Sequence, residues 1–171
     1  MNENTFYGKY RGVVSDNRDL MNLGRIKARV PDVFGDRDTG WAYPCVPYAG
    51  KQMGFFAVPP VGASVWIEFE CGDPDYPIWS GCWWSAASEM PALVMSPPPP
   101  GTEPKVLIRT NGGHSIVLDD TPGQGGITFE CSTGQKIKMT ATGIEIDDGQ
   151  GGTIKFTGPK VSINDGALEV T

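Results

Sequence analysis

From residue 105 to residue 171 the chain repeats one short pattern of side chains, and this pattern constrains the fold more than any other feature. Apolar and polar residues alternate over four or five positions, a turn usually containing glycine follows, and the alternation resumes: SIVLDD, ITFEC, KIKM, GIEID, TIKF, KVSIN, ALEV. The apolar positions are Ile116 and Leu118, Ile127 and Phe129, Ile137 and Met139, Ile144 and Ile146, Ile154 and Phe156, Val161 and Ile163, then Leu168 and Val170. A period of two places each pair on one face of a strand. The first members lie 11, 10, 7, 10, 7 and 7 residues apart. That spacing is too short for a propeller blade, and the segments are too strand-like for a helical repeat, so a β-solenoid or β-prism is expected. A single copy would have a thin apolar seam and bare edges, and it needs identical neighbours.

Residues 8–84 follow a different grammar. GRIKARV (24–30) alternates strictly, with Ile26, Ala28 and Val30 on one face and Arg25, Lys27 and Arg29 on the other, which predicts a half-buried strand. YRGVVSDNRD (10–19), WAYPCV (41–46), ASVWIEFE (63–70) and YPIWSGCWW (76–84) are further strands, and PPVG (59–62) and CGDPDYP (71–77) carry turn chemistry. Five strands in about 75 residues suit a small closed barrel. SAASEM (85–90) is expected to form one helical turn, and SPPPPGTEP (96–104) an extended polyproline spacer. The chain is therefore expected to be all-β, with a barrel and its helical turn over 1–90, a linker over 91–104 and a rod over 105–171.

Several function classes are disfavoured. There is no apolar run of transmembrane length, and MNENTFYGKYRG lacks the charged start and apolar core of a signal peptide. The expectation is a soluble chain outside the general secretory route. Cys45, Cys71, Cys82 and Cys131 have neither CxxC spacing nor histidine company, so they read as buried free thiols rather than a zinc site; Cys71 and Cys82 could face each other across a hairpin, where a cytosolic assembly site would keep them reduced, and the sequence leaves their pairing open. The single histidine, His114, stands near Asp119 and Asp120. An acid–base site needs groups converging in a cleft, which a repeat strand does not supply. Adjacent carboxylates on a strand point to opposite faces, so neither Asp119/Asp120 nor Asp147/Asp148 makes a glycosidase pair. DDGQGG (147–152) has the flavour of a calcium-binding β-roll turn but occurs once, and reads as a plain turn. No enzyme activity, cofactor or metal is expected.

Nucleic acid is the alternative ligand for the barrel, because Arg25, Lys27 and Arg29 accompany the rings of Trp41, Tyr43, Phe55 and Trp66. Against single-stranded nucleic-acid binding, the net charge is −6, and residues 1–104 hold 8 basic and 12 acidic side chains. The basic stripe is better read as a protein contact.

Three stretches, taken together and in this order, carry a resemblance: GKYRGVVSDNRDLMNLGRIKARVP (8–31), GFFAVPPVGASVWIEFECGDPDYPIWSG (54–81) and NGGHSIVLDDTPGQGGITFECSTGQKIKM (111–139). In them the chain resembles the central spike, or baseplate assembly protein V, family of contractile-tailed phages and related injection systems, which includes the spike part of valine-glycine repeat proteins. The resemblance implies an oligonucleotide/oligosaccharide-binding (OB) barrel followed by a trimeric, intertwined β-helix. It implies a homotrimer seated on a separate trimeric baseplate hub, with Arg25, Lys27 and Arg29 as the hub-facing residues. It further implies assembly in the host cytoplasm, a place at the tail tip of the particle, and transient contact with the target membrane as the envelope is pierced. His114 and the Asp119/Asp120 pair would then shape the entry of the β-helix. Some relatives carry a lysozyme domain between barrel and helix, for which residues 85–104 leave too little chain. Others end in a histidine-held iron; no histidine follows His114 here. A separate PAAR-like tip protein is expected instead, contacting Ala167, Leu168, Val170 and Thr171.

Overall fold

The computed structural model describes residues 5–95, 100–101 and 105–170. The chain divides into two compact units, Met1–Glu89 and Met90–Thr171.

In the first unit, β1 (Tyr10–Asp16), β2 (Lys27–Arg29), β3 (Tyr43–Pro44), β6 (Ser64–Phe69) and β7 (Pro77–Cys82) form a sheet of order β2-β1-β6-β7-β3. The two ends of that sheet meet. Ile26 donates to the carbonyl of Ala42 at 3.2 Å and Ala42 donates back at 2.7 Å, so the barrel closes through one antiparallel bridge. Alternation decides which residues fill it. Val65, Ile67 and Phe69 of β6 face inward, as do Ile26, Ala28 and Val30, where the sequence places them, and Val14, Ala42 and Trp79 complete the core. Phe6, Tyr10, Phe34 and Phe69 form an aromatic cluster of edge-on and tilted pairs, with centroids 5.6–6.0 Å apart. A one-turn helix, α1 (Pro31–Phe34), follows β2. The small hairpin of β4 (Ala49–Gly50) and β5 (Met53–Gly54) has no counterpart in the sequence reading, because two-residue strands leave no periodic signal.

The expected helical turn after the barrel is a 3₁₀ turn over Ala87–Glu89, capped by Glu89, whose carboxylate accepts from the Ser85 amide and hydroxyl. A second such turn covers Ala92–Val94. Most of the proline-rich spacer, residues 96–99 and 102–104, lies outside the described residues.

The second unit is an antiparallel meander in which each strand pairs with the next: β8 (Val106–Arg109), β9 (Ser115–Asp119), β10 (Gly126–Glu130), β11 (Lys136–Thr140), β12 (Gly143–Asp147), β13 (Thr153–Thr157), β14 (Lys160–Ile163) and β15 (Leu168–Val170). The hydrogen-bond ladders of β9 to β14 are thus satisfied on both edges within one chain. Two glycines bound the strand width. A Cβ on Gly126 would sit 2.0 Å from the carbonyl oxygen of Met139, and one on Gly143 1.9 Å from that of Phe156, so the neighbouring backbone admits only hydrogen there.

Candidate assembly interface

Register turns the repeat pattern into a surface. Across the meander, Ile108, Ile116, Phe129, Ile137, Ile146, Ile154, Ile163 and Leu168 stand opposite one another in sequence, one from each strand. Val106, Leu118, Ile127, Met139, Ile144, Phe156, Val161 and Val170 form a second row in the same way. Cross-strand neighbours share a face, so both rows lie side by side on one surface. Every interior residue that the sequence assigns to the rod falls on one of these rows. Val106 and Ile108 extend them at the first strand; the sequence reading missed these two because VLIR is apolar on both faces. Leu168 and Val170, assigned to a tip contact, complete the rows at the last strand.

This surface is uncovered in a single chain. Ile127, Phe129, Ile137, Ile144, Ile146 and Phe156 are 37–42% exposed, and Val106, Ile108, Leu168 and Val170 are 55–59% exposed. Ile116, Met139, Ile154, Val161 and Ile163 are half-buried. All nine core hydrophobics of the described residues lie in the barrel. Contiguous apolar area on this scale marks an interaction surface, and each such side chain, already about half covered, gains on the order of 1 kcal/mol when the rest is removed from water.

The opposite face is polar and internally paired. Thr128, Lys138, Glu145, Lys155 and Ser162 form its central row. Lys136 meets Asp147 at 3.2 Å, and Lys155 lies 3.7 Å from Glu145 and 2.6 Å from Asp165. These pairs lower the Asp147 carboxyl, after the Gly149 amide, and raise the Lys155 ammonium.

The residues that suggested chemistry serve turns. His114 Nδ1 accepts from the Ser132 amide at 3.3 Å, and the His114 carbonyl accepts from the Thr110 amide. Asp119 accepts from the amide and hydroxyl of Thr121 and faces Lys105 at 3.0 Å. The Thr121 hydroxyl first, then Lys105, lowers its carboxyl to about 2. Asp147 and Asp148 cap the amides of Gly149, Gln150 and Gly152 within the DDGQGG turn.

The basic stripe is not uniform. Arg25 is tied down: its guanidinium lies 2.6 Å from the buried carboxylate of Asp19 and stacks over Trp41 and Tyr43. Asp19 also accepts from the amides of Met21, Leu23 and Arg25, and the Arg25 side chain above all holds its carboxyl far below the usual aspartate range. Lys27 also lies over Trp41, with Nζ 5.1 Å from the ring centre, while Arg29 is exposed, with Asp38 at 3.7 Å.

The cysteines differ from expectation. All four are free and exposed rather than buried. Cys71 and Cys82 do not oppose each other, because the β6–β7 register pairs Cys82 with Val65 and leaves Cys71 in the turn with φ +52°. Exposed as its residue is, the Cys82 thiol is partly desolvated by the surrounding chain, and this raises it. Ala167 and Leu168 are exposed, whereas Thr171 lies outside the described residues.

A barrel with its own core, followed in the chain by a meander whose apolar face is uncovered, defines the class: an all-β protein with a closed barrel and a sheet built for self-association. Sequence comparison agrees with both parts. Residues 10–84 match the type VI secretion system/phage-baseplate injector OB domain, and residues 105–169 match the phage baseplate V C-terminal trimerisation domain. The chain belongs to the phage baseplate V family of injector spike proteins. It is similar to the type VI secretion system spike protein VgrG3 of Vibrio cholerae, with 31% identity over 60% of this chain and 10% of that protein. The actin cross-linking toxin VgrG1 of Vibrio cholerae is 30% identical over 59% of this chain and 10% of its own length. The spike protein VgrG4b of Pseudomonas aeruginosa is 38% identical over 52% and 11%. The matched stretch spans about a tenth of these curated relatives. The homotrimer follows from the trimerisation domain, and its place is the spike region of an injection apparatus.

Proposed function

We propose that three copies of this chain form the central spike of a contractile injection device, seated on a trimeric tube hub and driven through the target envelope on contraction. One observation carries the reading: two parallel apolar rows, one side chain per strand, lie uncovered on a sheet with no core of its own. Three such sheets facing inward make a closed prism whose interior is the sixfold set of rows and whose exterior is the ion-paired face. The role is mechanical, with no catalytic step.

In this reading the barrel is the hub adaptor. Within the basic stripe Arg29 and Lys27 are the available cations, and Arg25 organises the strand that carries them. Leu168 and Val170, uncovered at the last strand, seat a separate PAAR-like tip protein together with Ala167. Assembly occurs in the host cytoplasm, and membrane contact is transient.

Light scattering tests the trimeric rod. The expected mass is near three times 18.4 kDa and persists in detergent at room temperature. A readily unfolding monomer overturns the reading, as does release of peptidoglycan fragments by the purified protein. At the level of function, particles assembled with a prism-disrupted spike are expected to leave target cells intact.

A further inference from the structure

A groove on the outer wall of the barrel has the chemistry of a receptor for a carboxylate. It runs between β1, the start of β6 and the chain after β7, and Arg11, Arg29, Ser15, Ser64, Trp83 and Glu89 are among its lining residues. Alternation places Arg11 and Trp66 opposite each other on the outside of β1 and β6. Trp66 and Trp83 pack with centroids 5.7 Å apart, and the Arg11 guanidinium lies 4.8 Å from the Trp83 ring and 5.9 Å from that of Trp66.

This stack sets the state of Arg11. A guanidinium placed over aromatic rings still has N–H groups to offer, and its fork can take a carboxylate with two parallel bonds. Among the described residues Arg11 has no carboxylate partner, although it is exposed. The second guanidinium of the groove, Arg29, approaches Asp38 only to 3.7 Å, beyond hydrogen-bond range. The lining acid, Glu89, is engaged by the Ser85 amide and hydroxyl. Two polar atoms in the same wall, Ser15 Oγ and Trp83 Nε1, are buried with no partner. Ser15 stands at the irregularity in β1 between Val14 and Asp16, where the ladder to β2 slips. The groove thus has two guanidiniums lacking close acceptors, beside apolar surface from Val13 and Val61, 46% and 58% exposed.

We propose that this groove docks an acidic peptide segment of a partner protein, a Glu or Asp held by Arg11 and Arg29 with an apolar neighbour against Val13 and Val61. A nucleic-acid strand fits less well. Trp66 and Trp83 already pack on each other and under Arg11, which competes with base stacking, and the chain carries net charge −6. The site is independent of the prism rows, so the spike reading and this one fail separately.

The test uses the intact, isotope-labelled protein and the blocked tripeptides acetyl-Leu-Glu-Leu-amide and acetyl-Leu-Gln-Leu-amide, read through the indole N–H resonances. The Glu peptide is expected to shift the Trp83 and Trp66 signals saturably, and the Gln peptide to bind about tenfold more weakly, as loss of a charge-assisted pair requires. Arg11→Ala and Arg29→Ala should each weaken the Glu peptide, with Arg11→Lys in between because an ammonium offers no fork. An unchanged near-ultraviolet circular dichroism signature of the barrel in each variant shows that its fold is retained. Equal binding of both peptides, no shift with either, or undiminished binding to Arg11→Ala overturns the proposal. So does saturable binding of oligothymidylate at the same two indoles.

Discussion

The two units solve the burial problem in opposite ways. The barrel curls five strands until Ile26 meets Ala42, so that its inward residues, from Val14 to Trp79, lose nearly all contact with water within one chain. The meander does not close on itself. Its ladders are complete, yet its apolar rows remain uncovered until other copies arrive. Backbone satisfaction and side-chain burial are therefore separable: β9 to β14 have the first without the second. The barrel's stability should depend little on protein concentration, whereas that of the rod is inseparable from it.

The sharpest way to break this contrast is Ile137→Asp. A carboxylate in the middle of a row, between Phe129 and Ile146, is expected to abolish the trimer while the barrel keeps its near-ultraviolet signature; an intact trimer by light scattering would refute the inward assignment. The reciprocal change is Ile67→Ala, at a residue with no exposed surface. It should destabilise the barrel by about 2–5 kcal/mol in denaturant titration and leave the trimer mass unchanged.

Acid should act next. The Asp19 and Asp119 carboxyls lie below their ordinary values in the folded chain, so the unfolded chain takes up protons first as pH falls. Their contribution is complete above about pH 5 and lost progressively below the ordinary aspartate value near 4, for Asp119 down to about 2. Asp19→Asn is expected to flatten the acid dependence of barrel unfolding, and an unchanged slope would show that its pairing with Arg25 contributes nothing. The smallest effect belongs to Lys155→Ala on the polar face. Partly exposed ion pairs are worth little, and thermal unfolding should show trimer stability close to that of the unchanged protein.

Much of this architecture is legible in the sequence because period two is a strong signal when one face is buried. The row positions from Ile116 to Ile163, and the inward set Ile26, Ala28 and Val30, follow directly from alternation. What alternation cannot convey is which partner a side chain meets. Arg25 reads as one of three equivalent stripe cations, but Asp19, six residues earlier across an irregular loop, takes it out of circulation. The Arg11–Trp83 stack joins residues far apart in sequence through the β1–β6–β7 pairing. The thiols were misjudged because burial of Cys71 and Cys82 depends on turn and register, neither of which cysteine count reveals.

The meander also has a direction of strength. Seven interstrand steps of about 4.8 Å extend its rows over roughly 34 Å, with the hydrogen bonds lying along that line. A push along the rows squeezes all the ladders at once and separates none. A pull would instead open the shortest ladder first, the three-pair register between β14 and β15. Such a sheet is a strut rather than a tether.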